Sequence, residues 1–326
     1  MPFDYPYIPL GALHSSGMRY TRFRLTLGHV LAGISVVVNI LFVVVVCLIL
    51  FLPPSVEGYV ALNGFQHLTG LAPQPDQHAI VTVLYTDGYL TAVLTLGYSL
   101  RASNITILGE ISQTSLCLAK AIGWTPHPVS YIAPPHKYIE DHFRHQYTKL
   151  NIWTLDKLGI SSLVYLDADT LVLRNFEELF LLPFTLAAVP DVFKKAGFVI
   201  GINANVLFLY PKSTIFDDMI SKLSIARYPS TYAEQAFINL YFGAQTTRLP
   251  YIYNANLAIK LRSPLLWKAI EEDIRIIHYT TYKPFPSSTT GAHMGGIWKE
   301  EVEVWERHFL EMRKDLGKYS TQCSDF

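Results

Sequence analysis

Two carboxylates stand one residue apart at the end of an apolar segment. Residues 163–166 are apolar, Asp167 and Asp169 follow directly, and apolar residues resume at Leu171. Two acids at the tip of a buried strand repel each other and lose hydration unless a cation compensates them. A divalent ion such as Mn²⁺ or Mg²⁺ does so, and it keeps positions open for phosphate oxygens. The pattern therefore predicts a metal–diphosphate site; the alternative is one acid capping a turn and the other solvated.

Strand-like and helix-like segments alternate around these acids. Strand patterns occur at 79–84, 105–108, 162–166, 187–189, 206–210 and 274–279, and helix patterns at 90–100, 109–122, 147–158, 214–223, 233–242 and 299–314. This order predicts an α/β fold with one mainly parallel sheet and helices on both faces. Ligands of such sheets bind at the carboxyl ends of the strands, which is where Asp167 and Asp169 fall.

The overall composition excludes one class of partner. The chain has 326 residues, with 26 Lys and Arg balanced by 26 Asp and Glu. No basic stripe offsets that balance, so we expect no nucleic-acid partner. Aromatic residues make up 13% of the chain, which indicates a well-buried core and rings available to line a groove.

A long uncharged segment near the N-terminus predicts a membrane anchor. No Asp, Glu, Lys or Arg occurs between Arg24 and Glu57, and the roughly 23 mostly apolar residues at 30–52 suffice to span a bilayer. Three arginines precede the segment and the next basic residue is Arg101. The positive-inside rule then places the N-terminus in the cytosol and the body on the other side, as a single-pass type II protein. The alternative, a cleaved signal peptide, has a shorter apolar core and a small-residue cleavage site.

Two features concern the compartment of the body. Asn104 begins an Asn-x-Thr glycosylation sequon, a short pattern that also arises by chance. Cys47 lies in the apolar segment, which leaves Cys117 and Cys323 as the remaining cysteines. Neither the glycosylation of Asn104 nor a bond between these two cysteines follows from the sequence.

Seven blocks follow one another along the chain and together resemble a known family. They are Val81–Tyr89, Tyr147–Trp153, Tyr165–Phe180, Pro190–Asp191, Ile202–Val206, Glu234–Asn239 and Ile276–Phe285. Over residues 78–285 they are similar to the glycogenin-like, family 8 retaining glycosyltransferases of the GT-A fold. The resemblance implies a mainly parallel α/β domain that takes a UDP-sugar as its donor.

The resemblance places a nucleoside pocket in the first block. Relatives wrap the uracil and ribose with the opening strand and turn, which implies a pocket lined by Val83, Tyr85, Thr86 and Tyr89. The alternative is an ordinary strand edge with a turn. In the second block, Lys149 matches a lysine that approaches the donor, whereas outside this block it would read as a surface lysine.

A metal shell is implied by residues far apart in the chain. Asp167 is expected to contact the ribose and the metal, and Asp169 to bind the metal directly. His278 would complete the shell through a neutral ring nitrogen, and two carboxylates with one imidazole suit Mn²⁺ better than Mg²⁺. A lone histidine on a strand is more often structural, but here Lys283 follows His278 at the family spacing. Lys283 would hold the diphosphate as a point charge.

The remaining blocks imply contacts to the donor sugar. Asp191 and Asn203 would bind sugar hydroxyls, and Gln235 would lie near the anomeric carbon. Glu234 replaces the family's usual Asp with one extra methylene, which predicts an altered choice of donor; alternatively it is a solvated acid in the first turn of a helix. Asn205 replaces the usual Gly, and Asn tolerates positive φ better than most residues.

These expectations combine into a metal-dependent retaining glycosyltransferase. It would move a sugar from a UDP-sugar to a glycan, glycoprotein or glycolipid acceptor in the Golgi, by front-face attack assisted by the leaving phosphate. The metal and Lys283 would stabilise the charge that develops on the diphosphate. Glycogenin carries a glucose-accepting Tyr eight residues after the Tyr of its Tyr-Asn segment. That position, counted from Tyr253, is Leu261 here, so a self-glucosylating primer is not expected.

We expect four segments and keep two other functions open. The segments are a cytosolic tail at 1–29, the anchor at 30–52, a stem at 53–77 and a catalytic domain at 78–326. One alternative is a catalytically silent, membrane-anchored protein that binds a nucleotide sugar or carbohydrate. A structural adaptor, the other alternative, leaves the buried acids unexplained. The donor sugar and the acceptor depend on pocket shape and on the loop around 291–296, which the sequence does not define.

Overall fold

The computed structural model of the chain describes residues 26–51, 77–100, 104–108, 111–135, 143–285, 296–318 and 323. The predicted tail before residue 26, nearly all of the stem and the loop at 291–295 lie outside these residues. The chain divides into two units, with the division between Pro54 and Ser55.

The first unit is a single helix. Helix α1 (Leu27–Phe51) is 25 residues long and carries no acidic residue in its first turn and no basic residue in its last. Its span Leu27–Leu48 has a mean hydropathy of 2.9, and none of it is buried within the protein. A helix satisfies all of its backbone hydrogen bonds internally, and this one is long and apolar enough to cross a bilayer.

The second unit is built on two sheets. Its strands are β1 (His78–Leu84), β2 (Asn104–Leu108), β3 (Trp124–Pro128), β4 (Ser162–Leu166), β5 (Thr170–Val172), β6 (Leu186–Phe193), β7 (Gly197–Leu209), β8 (Thr247–Arg248), β9 (Ala255–Asn256) and β10 (Ile276–His278). In the described part of the chain, seven strands form one sheet in the order β3-β2-β1-β4-β7-β6-β8. The α/β fold expected from the sequence is confirmed.

Strand direction changes within the large sheet. The pairs β3·β2, β2·β1, β1·β4 and β6·β8 are parallel, whereas β7 runs antiparallel to both β4 and β6. β6 and β7 form a hairpin, and a short connection of that kind permits only the antiparallel arrangement. β7 is also longer than the strand predicted at 206–210, and its additional residues include Asn203 and Asn205.

A small second sheet was not predicted. Its order is β5-β10-β9, with β5 antiparallel to β10 and β9 parallel to it. In this register Thr170 lies opposite His278. The pairing therefore brings the segment after the two acids beside a histidine more than a hundred residues away.

Helices cover both faces of the large sheet, as predicted. They are α2 (Leu90–Ser99), α3 (Gln113–Ala121), α4 (Ser213–Leu223), α5 (Ala233–Phe242), α6 (Leu257–Arg262), α7 (Pro264–Ile270), α8 (Lys299–Leu316) and a 13-residue 3₁₀ segment, Gln146–Leu158. Alternate residues of each central strand enter opposite cores, as the period of two requires. Val164 packs on the side of α2 and α8, and Leu163 on the side of α4, α5 and 146–158.

Strand β3 was also missed from the sequence, and its packing explains its position. Trp124 is buried, and its indole Nε1 donates to the carbonyl of Val93 at 3.1 Å. The neighbouring Gly97 leaves room for the ring, because a Cβ there would lie 2.4 Å from the indole nitrogen. A glycine inside a helix destabilises the helix, but here it permits the Trp124 ring to pack closely against α2.

The two cysteines whose pairing the sequence left open are bonded. Cys117 in α3 forms a disulfide with Cys323, 206 residues further on. The bond holds Cys323 against α3. Cys47 in α1 is free.

Candidate functional site

The two acids lie in the turn that connects β4 to β5. The Asp167 amide donates to the carbonyl of Asn205 at 2.8 Å, and the Thr170 amide and hydroxyl both donate to the Asp167 carbonyl. Thr82 donates to the carbonyl of Leu166 at 2.7 Å. These bonds hold the turn at the carboxyl end of β4, beside β1 and β7. The predicted position of the acids at the strand end is what the structure shows.

Asp169 faces two cationic or protonatable groups. Its carboxylate is buried, with Oδ1 3.5 Å from His278 Nε2 and Oδ2 bonded to Lys283 Nζ. Burial alone would raise the pKa of Asp169, but Lys283 and His278 outweigh burial and hold it well below the usual value. For Lys283, burial lowers the pKa and the Asp169 carboxylate more than restores it, so the net shift is upward. Asp169 is therefore a stable anion.

The hydrogen bonds of His278 define its tautomer. It is fully buried, and its Nδ1 lies 2.9 Å from Asn254 Oδ1 while its Nε2 lies 3.0 Å from Asn205 Nδ2. Amide oxygens accept and amide nitrogens donate, so these partners assign the proton to Nδ1 and the lone pair to Nε2. This is the tautomer of a histidine that binds a metal ion through Nε2, and here Asn205 occupies that lone pair.

The proposed ligands fit a divalent ion in their chemistry. Two carboxylates and a neutral imidazole are oxygen and nitrogen donors of the type that Mn²⁺ takes, and Asp169 already lies beside His278. Among the residues that the structure describes, no three His, Cys, Asp or Glu side chains are grouped closely enough to hold an ion. Lys283 and Asn205 bind the ligand atoms instead, and Asp167 Oδ1 is bound by Lys149 at 3.3 Å.

Asp191 lies at the centre of the predicted sugar contacts. Its carboxylate accepts from Asn203 Nδ2 at 2.9 Å, from Gln235 Nε2 at 2.8 Å and from the Val192 amide at 2.8 Å. Gln235 Oε1 also accepts from the Ala204 amide at 3.0 Å. The structure thus brings together three of the predicted site residues, which lie on β6, on β7 and in α5.

Buried asparagine side chains connect the residues around Asp191 to His278 through hydrogen bonds. Asn254 Nδ2 donates to Asn203 Oδ1 at 2.9 Å, and Asn254 Oδ1 accepts from His278. Asn256, two residues on, donates to the Val192 carbonyl at 3.3 Å and caps helix α6. The sequence analysis missed both asparagines as site residues. The sequence offered one indication of their role. Uncharged polar side chains at a short strand are buried only when they have hydrogen-bond partners.

Lys149 and Glu234 contact each other rather than solvent. Lys149 Nζ lies 2.6 Å from Glu234 Oε1, and each side chain is about 1% exposed. Burial lowers the pKa of Lys149, but Asp167 and Glu234 more than reverse this, so the net shift is upward. Burial raises the pKa of Glu234 more than Lys149 lowers it. The alternative of a solvated Glu234 is excluded.

The backbone before Glu234 is unusual. Ala233 has φ of 44°, the one positive φ at a non-glycine residue in the described part of the chain. An L-residue with a side chain rarely adopts this region, and such outliers concentrate at functional sites. At this point the chain enters α5, so the conformation sets the direction in which Glu234 and Gln235 leave the backbone.

The residues predicted for the nucleoside pocket differ in exposure. Val83 packs in the core and does not face solvent. Thr86 is exposed, and Tyr89 is 42% exposed with its ring 5.5 Å from that of Phe285. The Tyr85 ring stacks on His145 at 6.2 Å, and burial followed by the charges of Asp167 and Glu234 raises the pKa of its hydroxyl well above the usual value. The rings of Tyr85 and Tyr89, rather than the Val83 side chain, lie at this side of the candidate site.

Comparison with known proteins agrees with this geometry. Residues 133–288 match the profile of Glycosyl transferase family 8. Inositol phosphorylceramide glucuronosyltransferase 1 of Arabidopsis thaliana is 28% identical over 249 residues, which cover 68% of this chain and 44% of that protein. Glycogenin of Neurospora crassa is 26% identical over 247 residues, 70% of this chain and 35% of that protein. The chain spans less than half the length of either relative.

A solved structure has the same fold. The glycosyltransferase GlyE of Streptococcus pneumoniae TIGR4 superposes with a TM-score of 0.51 at 20% identity, over 75% of this chain and 64% of that one. At this identity the likeness concerns the fold alone. The matched region of the family profile contains Asp167, Asp169, His278 and Lys283. Residues 133–288 of this chain are therefore a Glycosyl transferase family 8 domain.

Proposed function

We propose that this protein transfers a sugar from a UDP-sugar to a glycan, glycoprotein or glycolipid acceptor, with retention at the anomeric carbon. The observation that carries the proposal is the group formed by Asp169, His278 and Lys283 at the carboxyl end of β4. A diphosphate is anionic, and a lysine beside a metal-binding carboxylate is the arrangement that such a leaving group requires. The location inside a family 8 domain supports the same reaction.

The chain's own residues divide the work between the two ends of the donor. Asp169, His278 and Asp167 would hold Mn²⁺, or Mg²⁺ in its place, and the ion would supply positive charge to the diphosphate. Lys283 would transfer its contact from Asp169 to a phosphate oxygen once that carboxylate has another cation. Because Lys283 is partly buried and cationic, it would stabilise the charge that develops as the diphosphate leaves.

The sugar end would be bound by the network around Asp191. Asn203 and Gln235 both donate to its carboxylate, so the second N–H of each amide nitrogen would be the one that donates to a sugar hydroxyl. An Asp191 carboxylate with three donors is a weak nucleophile, because each donor stabilises its charge. This favours front-face attack by the acceptor, assisted by the leaving phosphate, over a covalent intermediate on Asp191. An inverted product in NMR spectra would rule that mechanism out.

The proposed location follows from the N-terminal helix and the disulfide. Helix α1 would be an uncleaved anchor at 30–52, preceded by a cytosolic tail at 1–29 and followed by a stem at 53–77. The catalytic domain at 78–326 would be lumenal, in the Golgi. A bond between Cys117 and Cys323 supports this side, because disulfides persist in oxidising compartments. The name of the Arabidopsis relative, inositol phosphorylceramide glucuronosyltransferase 1, is compatible with a glycolipid acceptor.

One observation favours a second candidate function. Lys283 and Asn205 bind the atoms of Asp169 and His278 that a metal ion would need. An ammonium group can replace a metal ion as the compensating charge, and such a protein would bind a nucleotide sugar or carbohydrate without catalysis. Asn205 stands where the family usually has Gly, so this contact is a feature of the present chain.

Release of UDP separates the two candidates. The purified full-length protein in detergent is incubated with a panel of UDP-sugars and Mn²⁺, and free UDP is measured. The proposed transferase releases UDP from at least one donor, loses this release when Mn²⁺ is chelated, and loses it in Asp169→Ala. Glu272→Ala, a change of an exposed acid outside the site, serves as the control. Binding of a donor without release of UDP would favour the silent binding protein.

A further inference from the structure

We propose that Lys149 and Glu234 are positioning residues, which act on the donor by holding Asp167 and make no contact with the donor sugar. The inference rests on the proposed function, since it concerns how the same site is organised. It differs from the family expectation, in which the lysine approaches the donor and the acid binds sugar hydroxyls.

The ammonium group of Lys149 has no unused hydrogen. Its Nζ contacts Glu234 Oε1 at 2.6 Å, Asp167 Oδ1 at 3.3 Å and the carbonyl of Ala204 at 3.4 Å. An ammonium carries three N–H donors, so these acceptors account for all of them. The group also lies over the ring of Tyr165, 5.1 Å from its centroid. With a side chain 1% exposed, Lys149 offers no surface on which a sugar could bind.

Lys149 and Tyr165 both contact one oxygen of Asp167. Tyr165 donates its hydroxyl to the same Oδ1 that Lys149 contacts. The carboxylate is therefore fixed through Oδ1, which leaves Oδ2 to bind a ligand. Charge-assisted bonds to a single oxygen define the rotation of a carboxylate, and this rotation decides whether Asp167 can share a ligand with Asp169.

Glu234 supplies the charge that makes Lys149 stable in this place. A lone ammonium in an apolar interior is strongly disfavoured, and a second carboxylate in contact with it offsets the loss of hydration. The extra methylene of Glu, compared with the usual Asp, is what carries the carboxylate to Lys149. The backbone at Ala233, with φ of 44°, directs the side chain into the core rather than into solvent.

Binding of UDP without a sugar distinguishes this role from a sugar contact. Affinities of the full-length protein in detergent with Mn²⁺ are measured by calorimetry for UDP, UDP-glucose and UDP-glucuronic acid. The key variant is Glu234→Asp, which keeps the charge and withdraws it from Lys149. We expect it to weaken UDP binding roughly tenfold, the effect of losing a charge-assisted contact, and to weaken the UDP-sugars by the same factor.

The opposite result has a distinct signature. If Glu234→Asp leaves UDP binding unchanged and weakens or redirects only the UDP-sugars, Glu234 contacts the sugar and the inference is wrong. If the wild-type protein neither binds UDP nor releases it from donors, the proposed function itself fails, and the two failures are thus separate. Lys222→Met is the matched control, because Lys222 makes an ion pair of 2.6 Å and lies over a tyrosine ring on the surface.

A double variant guards against loss of the fold. Lys149→Met alone leaves the buried carboxylate of Glu234 and the partly buried carboxylate of Asp167 without a cation, so it can unfold the domain. Lys149→Met combined with Glu234→Gln removes one of those charges, and it should unfold at a higher temperature than Lys149→Met alone. UDP binding should stay weak in this double variant, because Asp167 is no longer held. Recovery of wild-type UDP affinity in the folded double variant would contradict the proposal.

Discussion

Two lysine–carboxylate pairs in this protein have the same length and opposite surroundings. Lys149 lies 2.6 Å from Glu234 and 5.1 Å from the ring centroid of Tyr165. On the surface of α4, Lys222 lies 2.6 Å from Asp218 and 5.5 Å from the ring centroid of Tyr241. The side chains of the first pair are 1% exposed, whereas those of the second are 51% and 43% exposed.

The carboxylates of the two pairs shift in opposite directions. Hydrogen bonds from Lys222 and then Tyr241 lower the pKa of Asp218. At Glu234 burial comes first and raises the pKa, in spite of a lysine at the same distance. Water solvates the surface pair in either protonation state, but the core offers the buried pair only its own partners. Contact distance alone therefore does not predict what an ion pair contributes.

The largest expected difference between the pairs is in stability. Lys149→Met should lower the free energy of unfolding by about 3–5 kcal/mol, because it leaves the buried Glu234 and the partly buried Asp167 without their cation. Lys222→Met should change it by less than about 1 kcal/mol, as exposed pairs do. Urea denaturation followed by circular dichroism measures both. Equal losses in the two variants would mean that burial does not separate the pairs.

Catalysis should separate the two regions almost as strongly. Asp169→Asn removes the charge that faces His278 and Lys283, and we expect release of UDP to fall roughly 100-fold, the effect of losing one electrostatic group at a reacting centre. Asp218→Asn, an equal change in the surface pair, should leave the rate within about twofold. Steady-state kinetics with Mn²⁺ and the preferred UDP-sugar provides the test. A comparable rate in Asp169→Asn would remove Asp169 from the mechanism.

Hydrogen bonds donated by uncharged side chains should show the same contrast between buried and exposed groups, with smaller losses of stability. Gln235→Ala takes one donor from the buried Asp191 carboxylate and should cost about 1–3 kcal/mol of stability. Ser221→Ala removes an exposed bond of 2.7 Å from the Ser221 hydroxyl to the Asp218 carbonyl, and it should cost less than about 0.5 kcal/mol. Thermal unfolding of both variants gives the comparison, and an unchanged stability of Gln235→Ala would mean that Asn203 and the Val192 amide suffice to stabilise the Asp191 carboxylate.

The smallest effect is in the dependence of stability on pH. A carboxyl whose pKa is raised on folding binds protons more tightly when folded, so Glu234 favours the folded state at low pH and loses that contribution as pH rises above its ordinary value of 4.5. Asp218, whose pKa is lowered from 3.8, contributes in the opposite sense and loses its contribution as pH falls. Thermal unfolding of wild type, Glu234→Gln and Asp218→Asn between about pH 4 and pH 7 measures both slopes. If the contributions of Glu234 and Asp218 to stability changed with pH in the same direction, the pKa values of the two carboxyls would not shift in opposite directions.

Regular elements could be predicted wherever local pattern and packing agree. Helix α5 was predicted at the residues where it is found, and β4 and the acids that follow it were placed at a strand end. The β6–β7 hairpin was underestimated, because Asn203 and Asn205 interrupt the apolar residues in the middle of β7. Those residues are polar because they belong to the candidate site, so local pattern failed where function intervened.

The small sheet could not be predicted for a different reason. Strands β5 and β9 have three and two residues, too short for any periodic signal, whereas β10 lies within the strand predicted at 274–279. The pairing of β5 with β10 joins residues more than a hundred positions apart, and that of β9 with β10 joins residues 22 positions apart. The same pairing holds His278 beside Asp169, which sequence blocks indicated only through resemblance and not through spacing.

The sequence by itself determined the apolar N-terminal helix, the α/β alternation, the acids at the end of β4 and the resemblance to family 8, because each depends on residue type and local order. Only the tertiary structure decided which charges meet. Lys149 and Glu234 are 85 residues apart, and their types alone are equally compatible with a solvated pair such as that on α4. Burial is a property of the whole fold, and it turns one of two ion pairs of equal length into a support for Asp167 while the other remains a surface contact.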